Sequence, residues 1–232
     1  MQIAIDGPSG AGKSTIAKAV AKKMNFTYID TGAMYRAVGL YMLTLGIDIK
    51  NEPDAVAAHL DEIRLSIRHE ADGQHIFLNG EDVSDKIRTP EVSIAASNVA
   101  VLPAVRMKLV ELQRILAAKQ DVIMDGRDVG TYVLPDAEIK IFLTASVEER
   151  AKRRFAELCE KGAQTTYEDV LEDMKYRDKN DSSRAFAPLK AADDAELVDT
   201  SGNTLEESVE RISKLIRSKI NEKRNEKECL SE

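Results

Sequence analysis

The stretch that decides the fold is Gly7-Pro8-Ser9-Gly10-Ala11-Gly12-Lys13-Ser14, which matches the pattern G-x-x-x-x-G-K-[ST] at every fixed position. The apolar run Gln2 to Ile5 precedes it, and Lys13 to Met24 repeats apolar residues at helical spacing. The sequence therefore predicts a strand, a phosphate-binding glycine-rich turn and a helix. In such a turn the backbone N–H groups, the helix N-terminus and Lys13 bind the phosphates of a nucleoside triphosphate, while Ser14 can ligate Mg²⁺.

The composition of the chain limits the kinds of partner that it can bind. The chain has 232 residues, of which 43% are hydrophobic, and its 33 Lys and Arg against 40 Asp and Glu give a net charge of −7. An acidic surface disfavours nucleic acid and acidic membranes. The longest uncharged stretch, Val92 to Val105, is too short to span a bilayer, and the two cysteines form no CxxC. We expect a monomer of the cytoplasm with neither nucleic-acid nor membrane partners.

Downstream segments extend the strand-and-helix alternation. Phe26 to Ile29 predicts a second strand, with the Thr31 hydroxyl capping the helix that follows. Between about Arg64 and Val83 the period changes to two, and the turn signals Asp72-Gly73 and Asn79-Gly80 predict a small inserted antiparallel element. Further predictions are buried strands at Val122–Met124, Ile139–Leu143 and Glu196–Asp199, two charged helices from Ser146 to Gly162 and from Tyr167 to Lys179, a loop from Asp181 to Lys190, and a last helix whose tail frays from Glu222 onward.

Arginines follow the predicted strand ends in three clusters. They are Asp30-Thr31-Gly32-Ala33-Met34-Tyr35-Arg36, Asp125-Gly126-Arg127-Asp128-Val129-Gly130, and Arg177 with Asp181 and Arg184. Ligands bind at the strand ends of open parallel sheets, and arginine forks neutralise a monophosphate, although any single arginine can also be a solvated surface charge. Neither the Asn-Lys-x-Asp of a signalling GTPase nor the basic track of a helicase is present. A small-molecule kinase remains, with two rivals: a kinase for a metabolite such as a hydroxy acid, and a non-catalytic nucleotide-binding module.

These motifs, in this order and spacing, resemble those of the bacterial cytidylate kinases over essentially the whole chain. The resemblance implies transfer of a phosphoryl group from ATP to CMP or dCMP on an adenylate-kinase-like α/β fold. Its P-loop core with a five-stranded parallel sheet would comprise residues 1–30, 116–145 and 186–232. A monophosphate-binding domain would span residues 31–115, with the insertion at about 64–88, and a helical lid and substrate-contacting loop would span 146–185.

The family pattern also assigns roles to individual residues. On the acceptor side it implies that CMP is bound by Thr31, Arg36, Ser97, Arg106, Arg127, Asp128, Arg177, Asp181 and Arg184. On the donor side it implies that ATP is bound by Gly7, Pro8, Ser9, Gly10, Ala11, Gly12, Lys13, Ser14, Thr15 and the lid arginines Arg150, Arg153 and Arg154. The residues expected to act on the transferring group are Lys13, Arg127, Arg154 and Arg184.

For four groups of these residues, the donors, acceptors and charges of the side chains indicate what each would contact. An Asp128 carboxylate suits the cytosine N4 amine, and an Arg106 guanidinium suits the N3 and O2 acceptors. Asp181, helped by Arg177, suits the pentose hydroxyls. Arg150, Arg153 and Arg154 oppose the dipole at their helix N-terminus, so we expect bound ATP to supply their counter-charge. Asp125 can hold Mg²⁺ through water together with Ser14, or alternatively orient Arg127.

Overall fold

The structure, a computed structural model, describes residues 1–70, 73–160 and 162–229. Its elements in chain order are β1 (Gln2–Asp6), α1 (Lys13–Met24), β2 (Thr27–Asp30), α2 (Thr31–Thr44), α3 (Pro53–Ala58), β3 (Leu65–Glu70), β4 (Gly73–Leu78), β5 (Glu81–Asp82), α4 (Pro90–Val99), α5 (Pro103–Ala117), β6 (Val122–Gly126), β7 (Ile139–Thr144), α6 (Val147–Glu160), α7 (Tyr167–Ser182), β8 (Glu196–Asp199) and α8 (Leu205–Cys229). This order confirms the α/β fold class.

Five parallel strands form the central sheet, in the order β2-β6-β1-β7-β8. The middle strand β1 is apolar on both faces: Ile3 and Ile5 pack with α1 and α8, and Ala4 packs with Met124 and Val110 on the other side. Burial on both faces explains why the strands are continuous apolar runs. Because the strands are parallel, Asp6, Asp30 and Gly126 end at the same edge of the sheet.

The predicted insertion is the antiparallel sheet β3-β4-β5. Asn79 and Gly80 both have positive φ, 51° and 90°, as a two-residue hairpin turn with the right-handed strand twist requires. Asp72, in the other predicted turn, lies outside the described residues. The inner face of this sheet, with Ile76 and Leu78, packs on a helical cluster that includes Met34, Met42 and other residues of α2 to α5.

The two charged helices form a separate helical pair. α6 and α7 enclose their own apolar cluster of Ala151, Leu158, Val170 and Met174. A capping box starts α7, in which the Thr166 side chain accepts a hydrogen bond from the backbone N–H of Asp169 and the Asp169 carboxylate bonds back to residue 166. The two helices therefore stabilise each other through an apolar cluster of their own.

Three boundary predictions are wrong. The cap of α2 is Asp30, whose carboxylate accepts from the Ala33 N–H at 2.9 Å, whereas the Thr31 hydroxyl donates to the Asp125 carbonyl at 2.7 Å. Helix α7 continues through Ser182, so Asp181 lies in a helix and not in a loop. The last helix continues to Cys229, beyond the predicted fraying point at Glu222, and a hydrogen bond from the Ser218 hydroxyl to the Glu222 carboxylate joins its turns up to that point.

No helix within the described ranges is by itself long and apolar enough to cross a membrane; α4 and α5 reach that criterion only when taken together, and they are bent by 99° at their junction.

Candidate active site

A cavity of about 990 Å³ opens at the carboxyl edge of the central sheet. The glycine-rich loop after β1 lines one part of it. Other parts are lined by the polar ends of β2 and β6, the start of α2, the inserted sheet, and residues of α4, α6, α7 and α8. Thus a single cavity connects the predicted triphosphate site with the predicted acceptor site.

The glycine-rich loop adopts a conformation that requires its glycines. Gly7, Gly10 and Gly12 all have φ in the positive range, and a Cβ on Gly7 would lie 2.0 Å from the carbonyl oxygen of Leu143. The Lys13 side chain is buried, and its Nζ donates to the Pro8 carbonyl at 2.7 Å. Burial and the positive charge of Arg127 hold the Lys13 pKa well below its usual range. Lys13 thus lies between the loop and the acceptor-side arginines.

Ser14 and Asp125 meet at the base of the cavity. The Ser14 hydroxyl donates to Asp125 Oδ2 at 2.7 Å, and the Tyr28 hydroxyl donates to Asp125 Oδ1 at 3.2 Å. Burial, reinforced by the charge of Asp30, raises the pKa of Asp125 to about 6. A hydroxyl and a carboxylate are the hard oxygen ligands that Mg²⁺ prefers, so this pair fits the metal.

The alternative role for Asp125, orienting Arg127, has no direct contact to support it. Arg127 Nε donates to Asp181 Oδ2 at 2.8 Å, and its Nη1 donates to the Gly126 carbonyl. Nowhere in the described part of the chain do three or more His, Cys, Asp or Glu side chains gather as a metal cluster. A Mg²⁺ ion bound with a nucleotide commonly takes few ligands from the protein, because the nucleotide phosphates and water supply most of them.

Asp181 joins two of the predicted acceptor arginines. Its Oδ2 accepts from Arg127, and its Oδ1 lies 3.0 Å from Arg184 Nη2. Burial alone would raise the pKa of Asp181, but the charges of Arg127 and Arg184 outweigh it and hold this pKa below its usual range. Asp181 is therefore an ionised carboxylate that fixes the direction of two guanidinium groups.

Arg177 and Arg36 face the cavity without a carboxylate hydrogen bond among the described residues, although Asp30 lies near Arg36. Arg177 has a buried Nε without a hydrogen-bond partner among the described residues. Its pKa falls to about 9 because it is buried and because Arg36, Arg127 and Arg154 lie near it. Arg36 and Arg177 both line the cavity. Clustered cations that face a cavity and outnumber the nearby carboxylates are the electrostatic requirement of an anion site.

Asp128 and Arg106 form an ion pair at the far wall of the cavity. Arg106 is completely buried, bonds to Asp128 through Nη2, and lies between the rings of Tyr35 and Phe186 at 5.7 and 5.8 Å. Asp128 lines the cavity, but Arg106 does not. Asp128 therefore faces the cavity with Arg106 behind it, which differs from the expectation that both side chains contact the base.

Ser97 lies on α4 and lines the same wall. The Asn180 amide of α7 donates to its hydroxyl at 3.4 Å and to Asn98 Oδ1 at 3.3 Å, and the Tyr176 hydroxyl donates to Asn98 at 2.8 Å. These bonds connect α4 to the helix that carries Arg177 and Asp181.

The lid arginines differ from one another. Arg150 is buried, and its guanidinium donates to both carboxylate oxygens of Asp178 at 3.1 and 2.6 Å and to the Ser9 carbonyl at 2.8 Å. Its counter-charge is therefore Asp178, and the expectation that bound ATP supplies it is wrong for this residue. The physical reason is that α7 packs an acidic residue against the first turn of α6. Arg153 and Arg154 do line the cavity, paired with Glu149 and Glu157.

Sequence reasoning missed three polar residues at the site. Asp6 accepts from the backbone N–H groups of Val129 at 2.9 Å and Gly130 at 2.7 Å, and so holds the turn after Asp128. Tyr28 holds Asp125, and Arg88 of the insertion lines the cavity. The one signal for Asp6 is its position between an apolar run and the glycine-rich loop.

The P-loop, the Ser14–Asp125 pair and the arginine-rich acceptor end together define a P-loop kinase that acts on a small anionic acceptor. The family model for cytidylate kinase matches residues 3–218. The chain belongs to the cytidylate kinase family.

Similar proteins agree with this assignment. The chain is 53% identical over 215 residues to the cytidylate kinase of Caldicellulosiruptor saccharolyticus, covering 93% of this chain and 95% of that one. It is 52% identical over 219 residues to the cytidylate kinase of Clostridioides difficile, covering 94% and 97%. A crystal structure of an uncharacterized protein from Eubacterium ventriosum is similar in fold, with a TM-score of 0.50 and 16% identity over 94% of this chain and 98% of that one.

Proposed function

We propose that the protein transfers the γ-phosphoryl group of ATP to CMP or dCMP, giving ADP and CDP or dCDP. The observation that carries the proposal is the single cavity lined at one end by the P-loop and at the other by arginines directed by Asp181. The family membership and the ~50% identity to cytidylate kinases support the choice of acceptor.

On the donor side, the loop N–H groups and the N-terminus of α1 bind the β- and γ-phosphates, with Lys13 beside them. Ser14 would hold Mg²⁺ directly and Asp125 through water. When bound, the ion neutralises charge on the phosphates during transfer. Arg153 and Arg154 face the same space and are suited to contact the nucleotide when the lid closes.

On the acceptor side, an oxygen of the CMP phosphate forms a bond to the γ-phosphorus while the bond from that phosphorus to the β–γ bridging oxygen breaks. The attacking oxygen is already anionic at neutral pH, so no strong general base is needed. Arg36, Arg127, Arg177 and Arg184 hold the acceptor phosphate and offset the repulsion between the two anions. Asp181 directs two of these arginines, and its remaining lone pairs can accept from the pentose hydroxyls.

For base recognition, Asp128 accepts a hydrogen bond from the cytosine N4 amine, whereas uracil would present a carbonyl oxygen to it. Burial raises the pKa of Asp128, and the adjacent Arg106 opposes that rise. We assign Arg106 the role of orienting Asp128 and keeping it an acceptor. Ser97, on the same wall, lies where it can contact the nucleoside.

We also propose the domain organisation that the resemblance to the family implies. The P-loop core comprises residues 1–30, 116–145 and 186–232, the monophosphate-binding domain residues 31–115, and the lid with its substrate-contacting loop residues 146–185. The proposed protein is a monomer of the cytoplasm that binds neither nucleic acid nor membranes, and the net charge of −7 opposes binding to such polyanionic partners.

Turnover across an acceptor panel tests the proposal. With ATP and Mg²⁺ fixed, ADP release is measured with CMP, dCMP, UMP, AMP and a set of hydroxy acids. We expect the two cytidine nucleotides to give the highest kcat/KM. Preference for a hydroxy acid would favour a metabolite kinase, and ATP binding without any acceptor-dependent ADP release would favour a non-catalytic nucleotide-binding module.

A further inference from the structure

We propose that Arg88, a residue of the inserted β element, binds the phosphate of the acceptor nucleotide and makes the insertion a working part of the acceptor site. This inference rests on the proposed function. It adds a residue of the insertion to the arginines that hold the acceptor phosphate, and it depends on how the insertion is attached to the rest of the chain.

The insertion is attached to the edge strand β2 through the end of that strand. Gln74 of β4 accepts from the backbone N–H of Asp30 at 2.9 Å, and the ring Nε2 of His69 donates to the Tyr28 carbonyl at 2.8 Å. The Arg88 guanidinium donates through Nη2 to Asp30 Oδ2 at 3.1 Å. Two of the three contacts thus converge on one residue, Asp30, at the cavity edge of the sheet.

Asp30 also belongs to the element that starts the acceptor site. Its Oδ1 accepts from the Ala33 N–H and caps α2, the helix that carries Arg36. A Cβ on Gly32 would lie 3.1 Å from Asp30 Oδ1 and 3.3 Å from Arg36 Nη1, so these two groups are neighbours across Gly32. The buried Asp30 carboxylate therefore lies between two arginines, Arg36 from the core and Arg88 from the insertion.

The charges of this group do not balance. One carboxylate, Asp30, faces two guanidinium groups. Burial and then the charges of Arg88, Arg127 and Arg154 lower the pKa of Arg36, against the opposing charge of Asp30. Burial alone would lower the pKa of Arg88, but the charges of Asp30 and Asp125 oppose it and raise this pKa. An excess of positive charge beside a cavity is stabilised when an anion binds there.

Arg88 itself has hydrogen-bond donors left to bind an anion. A guanidinium has five N–H donors, and Asp30 is the one hydrogen-bond partner that Arg88 has within the described ranges. Its side chain is 45% exposed and lines the cavity, whereas the Asp30 side chain is 5% exposed. Asp30 therefore holds Nη2, and the remaining N–H donors of the guanidinium are left for a phosphate in the cavity.

The binding of CMP and of cytidine, measured by calorimetry, separates a phosphate contact from a merely structural role. The two ligands differ only in the phosphate, so the ratio of their Kd values reports phosphate recognition alone. The variants are Arg88→Gln, Arg88→Lys and, as a matched control, Lys86→Gln. Lys86 lies two residues away in the same turn, is exposed, and pairs with Glu81 outside the cavity.

We expect Arg88→Gln to reduce the cytidine-to-CMP ratio by about 10- to 100-fold, the effect of losing one charge-assisted contact. Arg88→Lys should restore part of the ratio, and Lys86→Gln should leave it unchanged. If Arg88→Gln weakens CMP and cytidine equally, Arg88 is only an anchor for the insertion and the inference is wrong. If the unaltered protein does not prefer CMP to cytidine, the proposed function itself fails.

Discussion

Replacing Asp181 with Asn should damage the acceptor half of the reaction and spare the donor half. The carboxylate holds Arg127 at 2.8 Å and Arg184 at 3.0 Å, and its side chain is 7% exposed. The contact with Arg127 is a hydrogen bond, and one hydrogen bond to a charged group contributes about 1.5–3 kcal/mol, whereas Arg184 Nη2 is held as an ion pair. The amide retains one acceptor oxygen but turns an NH₂ group toward one of the two guanidinium groups, so the equivalent of about one such contact is lost.

We therefore expect Asp181→Asn to lower kcat/KM for CMP by about 10- to 150-fold, or about 1.5–3 kcal/mol, with the KM for ATP little changed. Steady-state kinetics with each substrate varied in turn give both values. Thermal unfolding of the same samples establishes that the variant is folded.

A matched control lies one turn earlier on the same helix. Asp178 pairs with Arg150, which in turn donates to the Ser9 carbonyl of the P-loop. Asp178→Asn should therefore raise the KM for ATP and leave the KM for CMP nearly unchanged. If Asp181→Asn impaired ATP and CMP to the same extent, the assignment of Asp181 to the acceptor side would be refuted.

Three further outcomes follow from other parts of the site. Lys13→Ala should leave a folded protein whose turnover at saturating nucleotides is lower by about two to four orders of magnitude, and retention of more than half the wild-type turnover would mean that Lys13 is not catalytic. Asp128→Asn should shrink the preference for CMP over UMP in kcat/KM by about 5- to 150-fold, mostly through lost CMP activity; an unchanged ratio would show that Asp128 does not recognise the base. Burial raises the pKa of Asp6 from 3.8 to about 7, although the N–H groups of Val129 and Gly130 oppose the rise. The folded state then binds more protons than the unfolded state between these values, so the free energy of unfolding should decrease as pH rises from 3.8 to about 7. Asp6→Asn should flatten that part of a pH series of denaturant titrations, and an unaltered slope would contradict the shift.

The features that could be predicted from the sequence are those encoded by neighbouring residues. The P-loop, helix α1 and strand β8 have the predicted bounds because apolar periodicity and glycine spacing act over a few positions. The insertion was predictable for the same reason, since Asn79-Gly80 favours its own turn. The clusters at Arg36 and Arg127 could be found because each directly follows a strand end.

The partners of those residues could not be predicted, because they are set by packing between distant segments. Arg150 pairs with Asp178, 28 positions away, only because α6 and α7 pack side by side. Likewise, the register of β1 against β6 brings Asp6 to the turn that begins at Val129. Nothing local to either residue indicates its partner.

The contacts of the insertion at the cavity also could not be predicted from local sequence. Its strands were predictable, but the convergence of Gln74 and Arg88 on Asp30 depends on how the small sheet packs against the edge of the large one. A buried acid at a strand end is therefore an informative position to examine when a structure becomes known, since its partners reveal which distant segments form the site.

Phosphoryl transfer itself is tested most directly with ATP labelled in the γ-phosphoryl group and CMP as acceptor. We predict that the label is recovered in the terminal phosphate of CDP, with one CDP formed for each ADP, and that the yield collapses in the Lys13→Ala variant. Recovery of the label as inorganic phosphate, or formation of ADP without CDP, would contradict the assignment of this cavity as a site for phosphoryl transfer to CMP.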